Sequence, residues 1–146
     1  NIISNGSPGK ALMLLNNNGL EIYDYLTDIF LHIPNIDLNI IDKLMSYSTN
    51  SKNIYGIKIL NLLITIFLNR TFRRSLNLIK LDLSINEKSS QEYFINNFNI
   101  SDIPSLWENI FTQINKTYEL NLDKRQAIIN MVENIKKFKI NKNVLD

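Results

Sequence analysis

Apolar residues return every three or four positions along most of this chain, and that spacing predicts helices. One stripe, Ile22, Leu26, Ile29, Phe30 and Ile33, predicts a helix from near Leu20 to a stop at Pro34. Ahead of it, Ser7 and Pro8 form a cap and first turn for a helix that stops at the Asn-Asn-Asn-Gly turn of residues 16–19. Asp37 caps a short third helix carrying Leu38, Ile41, Leu44 and Met45. Polar residues 48–53 lead into the most apolar window, residues 54–68, whose helix runs to about Asn77.

The second half follows the same rule with one exception. Leu81, Leu83 and Ile85 alternate with polar positions, a weak strand pattern with no partner strand, so this segment reads as a linker. A short helix is predicted over residues 90–98, then a loop that ends at Pro104. Trp107, Ile110, Phe111, Ile114 and Tyr118 share one face of the next helix. Asp123, with Gln126 three residues later, predicts a capping box at the start of the last helix. Ile128, Met131, Val132 and Ile135 form its apolar stripe, and Lys136, Lys137 and Lys139 suit its C-terminal dipole. The predicted class is all-α, a helical bundle of about six or seven helices.

Composition narrows the functions. At 146 residues, 45% hydrophobic and 21% charged, the chain fits one ordinary globular domain with a sizeable core. A formal net charge of +2 is too small to imply nucleic acid or a membrane surface. The chain has no Cys, which excludes disulfides, thiolate metal sites and Cys nucleophiles. Residues 54–68 fall short of the roughly 20 that span a bilayer, and Lys58 and Asn61 interrupt them. The chain starts at Asn1, inside what reads as a running domain, so it is expected to be a piece of a longer protein.

Candidate chemistry is sparse. His32 is the single histidine and reads as a capping residue at a helix end. Asp24 and Asp28 lie one turn apart, an incomplete cation site that a solvated helix face explains. There is no P-loop or nucleophile elbow, and no catalytic residue or metal site is assigned. Arg70, Arg73 and Arg74 form the one compact basic cluster. It is a candidate phosphate contact, set against complementary charge at a helix C-terminus. The Trp107 stripe reads as core packing more readily than as a partner face. In SNGSPGKAL, residues 4–12, a Ser-Pro helix start offers free N–H groups to an anion, with Gly9 permitting close approach and Lys10 adding charge.

These last residues carry a resemblance. GSPGKAL at 6–12, followed by LLNNNGLEIYDYL at 14–26, resembles the passage from AAA+ lid to collar in bacterial DNA polymerase III delta-prime subunits, a clamp-loader family. Trp107 and Ile110 (W-x-x-I), and LNLDKRQ at 120–126, are similar to the last helical pair of that family, in the same order; residues 46–99 share helical character more than residues. The resemblance implies a last lid helix and connection over residues 1–18 and a helical collar, an oligomerisation domain, over 19–146. Related subunits carry a nucleotide-sensing arginine in a Gly-Ser-x-Arg-x-Ala-Leu motif. Here Gly6, Ser7, Ala11 and Leu12 match, but Gly9 stands at the arginine position. Lys10, one residue on, is rotated by about 100° around a helix. Ser7, Gly9 and Lys10 thus look like a relic of nucleotide sensing.

The implied role is a non-catalytic assembly domain whose partners are the gamma or tau and delta subunits, with DNA met indirectly through the assembled loader. No cofactor, membrane or small-molecule substrate is implied for this part, and the location is cytoplasmic. The alternative is a helical nucleic-acid-binding module using Arg70, Arg73, Arg74 and Lys10, with affinity that falls steeply with salt.

Overall fold

From residue 56 on, the apolar window lies in the helix against which four of the other five described helices pack. The computed structural model describes residues 19–33, 37–49, 56–120 and 123–138. They form six α-helices: α1 (Gly19–His32), α2 (Leu38–Thr49), α3 (Gly56–Ser75), α4 (Glu87–Asn97), α5 (Ile103–Glu119) and α6 (Lys124–Lys137). A single 3₁₀ turn, Ile100–Asp102, leads into α5. The described residues are an all-α bundle with no strand among them. Helix α3 packs against α1, α2, α4 and α5; α4 also lies along α1, and α6 closes against α2 and α5. No helix among the described residues is long and apolar enough to cross a membrane.

The first stripe read from the sequence buries as a set. Ile22, Leu26, Ile29, Phe30 and Ile33 are all sealed from solvent. They meet Ile59, Leu60, Leu63, Ile64 and Phe67 of α3 in one continuous core. An aromatic column runs through it. Phe30 stacks on Phe67 at 4.2 Å between ring centroids, Phe94 stands edge-on to both, and Phe98 stacks on Phe94 at 4.2 Å. Each buried phenylalanine contributes roughly 1.5–3 kcal/mol through removal of apolar surface from water.

Local chemistry sets the helix ends. Asp37 caps α2 as predicted, its Oδ1 accepting from the Asn39 N–H at 2.8 Å. Helix α3 stops at Ser75, not at Asn77. Asn77 takes a left-handed conformation with φ of 59°, the Asn77 N–H donates to the Arg74 carbonyl and the Leu78 N–H to that of Arg73. That pair of bonds is a Schellman closure, which satisfies carbonyls the helix leaves unpaired.

Residues 81–86 run as bends and turns, a connection and not a strand, as the absence of a partner strand led one to expect. Three expectations shift. Helix α4 starts at Glu87, earlier than predicted. Pro104 lies in the first turn of α5, where its missing N–H costs nothing, and does not end a loop. The buried stripe of α5 is Ile103, Leu106, Ile110 and Ile114; Trp107 and Phe111 flank it half-buried and stacked at 5.0 Å. The Ser7–Pro8 helix, Pro34 and Lys139 lie outside the described residues, as do the side chains of Tyr118 and Ile128.

Candidate functional site

The bundle divides the basic cluster between interior and surface. Arg70 falls on the face of α3 that carries Phe67 and Thr71, and only 8% of it is exposed. A buried guanidinium needs an anion. That anion is Glu87, fully buried at the start of α4. Arg70 Nε donates to Glu87 Oε2 at 3.0 Å and Nη2 donates to Oε1 at 2.7 Å, a two-pronged pairing.

The rest of the carboxylate is satisfied as well. The Tyr23 hydroxyl, from α1, donates to Glu87 Oε2. The Leu83 N–H donates to Oε1 at 3.1 Å, and Arg70 Nη2 also donates to the Leu81 carbonyl at 2.6 Å. Arg74, one turn along α3, comes within 3.6 Å of Glu87 Oε1, donates through Nε to Gln91 Oε1 at 2.6 Å, and pairs with Asp82. Two cations and two anions thus close a neutral network that ties α1, α3, α4 and the α3–α4 connection. The Glu87 charge also sits in the first turn of α4, where the helix dipole favours it.

Protonation states follow from this geometry. Burial, then the charge of Glu87 and the hydrogen bond to it, raise the Tyr23 phenol far above its ordinary value, so it stays a donor. Burial alone would lower Arg70; its hydrogen bonds and charge pairing with Glu87 outweigh that and raise it. With donors on both oxygens, the carboxylate is a structural tie and not a free base.

The other candidates are dispersed. Arg73 is exposed, and among the described residues it makes no ion pair. His32 caps α1: its Nδ1 lies 2.9 Å from the Asp28 carbonyl oxygen and 2.8 Å from its carboxylate. Asp24 is exposed, and among the described residues no group of three or more His, Asp or Glu side chains could hold a metal ion. Trp107 anchors α5 on α3 by donating from Nε1 to Thr65 Oγ1 at 2.6 Å. A shallow depression lined by Ser105, Glu108, Asn109, Thr112 and Gln113 draws on α5 alone. Ser7, Gly9 and Lys10 lie outside the described residues.

Glu87, Tyr23, Asp82 and Gln91 escape a reading of the sequence. A signal for them does exist: Arg70 and Arg74 continue the buried face of an apolar helix, which demands buried anions somewhere. Comparison of the chain with protein-family models, with curated proteins and with solved structures finds no match.

Proposed function

We propose that this chain is a non-catalytic assembly module, the collar of a delta-prime-type clamp-loader subunit, which helps hold the loader pentamer together while ATP drives sliding-clamp loading elsewhere in the assembly. Its partners in this reading are the gamma or tau and delta subunits, DNA is reached only through the assembled loader, and the setting is the cytoplasm. Support comes from the order of the GSPGKAL, Trp107–Ile110 and 120–126 segments along an all-α chain.

The observation that carries the reading is the inward turn of the basic cluster. A phosphate-binding module needs Arg70 and Arg74 facing solvent. Here Arg70 is buried on Glu87, and Arg74 is engaged with Asp82 and Gln91. The charges brace the bundle, which favours assembly over the nucleic-acid alternative. A braced bundle suits a collar, because an interface works best when its surface is held rigid before the partner arrives.

The test is size-exclusion chromatography of the 146-residue chain mixed with gamma or tau and delta collar domains at micromolar concentrations. Co-elution supports the reading. Separate elution at every ratio removes it.

A further inference from the structure

The α3–α4 connection is built inside out. Its backbone polar groups turn inward, with the Leu81 carbonyl held by Arg70 and the Leu83 N–H held by Glu87. Two of its large apolar side chains turn outward, Leu81 at 62% exposed and Ile85 at 96%, while Leu83 packs against the core. The Schellman closure turns Leu78, also exposed, back toward Arg73. Leu78, Leu81 and Ile85, all in this one connection, are three of the eight large apolar side chains exposed among the described residues. Apolar exposure gathered in this way marks an interaction surface.

Charge narrows the occupant. Residues 69–88 carry five Lys or Arg and two acids, in a chain whose formal net charge is +2. Both acids are engaged, Asp82 by Arg74 and Glu87 by Arg70. Arg73, Lys80 and Lys88 are exposed, with no ion pair among the described residues. Exposed cations therefore stand next to Leu81 and within three positions of Ile85 along the chain.

We infer that residues 78–88 are a docking surface for an acidic amphipathic helix of a partner protein. The apolar face of that helix would cover Leu81 and Ile85, and its flanking carboxylates would meet Arg73, Lys80 and Lys88. The inference rests on the assembly reading above and names the chemistry of the partner. The Arg70–Glu87 anchor holds the connection in place before binding, which lowers the ordering cost. Leu and Ile side chains offer no stacking plane to nucleic-acid bases. The exposed set also has no Trp or Tyr of the kind that settles at a membrane interface.

The experiment is fluorescence anisotropy of the 146-residue chain with a labelled amphipathic helical peptide carrying Leu on one face and Glu on its flanks. A twin peptide has Lys in place of each Glu. The protein variants are Leu81→Ser/Ile85→Ser and Lys80→Glu/Lys88→Glu, each first shown by circular dichroism to keep its helix content. Saturable micromolar binding of the acidic peptide is expected, at least tenfold weaker for the Lys twin and for both variants. Equal binding of the two peptides, or no loss in the variants, overturns the inference. So does preferential binding to phosphatidylserine vesicles or single-stranded DNA that is lost in Leu81→Ser/Ile85→Ser. The two levels separate cleanly. A loader-collar complex that withstands Leu81→Ser/Ile85→Ser overturns the surface and keeps the assembly reading. Variant-sensitive peptide binding without any loader complex keeps the surface and removes the clamp-loader reading.

Discussion

The guanidinium of Arg70 grips both carboxylate oxygens of Glu87 across 17 residues of sequence, at 3.0 and 2.7 Å. This pair joins the longest helix to the first turn of α4, and Tyr23, Leu81 and Leu83 all bond to one of its two members. Removing one partner strands a buried charge, whereas removing both does not. Glu87→Leu is therefore expected to destabilise the fold by about 3–5 kcal/mol. The double variant Arg70→Met/Glu87→Leu is expected to cost clearly less than the sum of the single variants. Urea denaturation of the four proteins of the cycle checks this, and additive losses would show that the pair is not coupled.

Tyr23 supplies a pH signature. Its phenol keeps its proton in the folded state well above the ordinary 10.0, chiefly because it is buried and then because Glu87 is beside it. The unfolded chain releases that proton near pH 10, so the stabilisation is intact below about pH 10 and is lost as pH rises further. The loss attributable to Tyr23 has a limiting slope of about 1.4 kcal/mol per pH unit. Tyr23→Phe is expected to cost about 1.5–3 kcal/mol at neutral pH, from the lost bond to a charged acceptor, and to show a shallower alkaline decline. Urea midpoints at pH 8, 10 and 11 measure both effects, and parallel declines would contradict the assignment.

Asn77 tests the closure of α3. Its φ of 59° is tolerable for Asn, free for Gly and costly for a β-branched residue. Asn77→Val is expected to lose about 1–2 kcal/mol. Asn77→Gly should stay within about 0.5 kcal/mol of the parent. Thermal melts of both variants decide the matter, and a neutral Asn77→Val would rule the closure out.

Phe67 holds the aromatic column together, touching Tyr23, Phe30 and Phe94 from α3. Phe67→Ala opens a cavity between three helices and is expected to cost about 3–5 kcal/mol. A loss under about 1 kcal/mol by chemical denaturation would mean that the column contributes little.

Much of this fold is legible along the chain, for a local reason. The α1 stripe, the apolar window of α3, Met131, Val132 and Ile135 of α6, and the Asp37 cap are all set by residues within a few turns of one another. Glu87 is different. In LSINEKSS it looks like any solvated glutamate, and its burial depends on Tyr23, 64 residues earlier, and on Arg70. The Arg70–Arg73–Arg74 cluster was visible as charge, but its division between interior and surface is a three-dimensional fact. Asn77 stops α3 through a left-handed turn that a run of Asn-rich sequence does not single out.

The proposed assembly role requires that this polypeptide bind other loader subunits. Sedimentation velocity of the chain with gamma or tau and delta collar domains, at micromolar concentrations and without nucleotide or DNA, tests it most directly. A single heavier boundary containing this chain is the result predicted. Independent boundaries at their separate positions, whatever the mixing ratio, would contradict it.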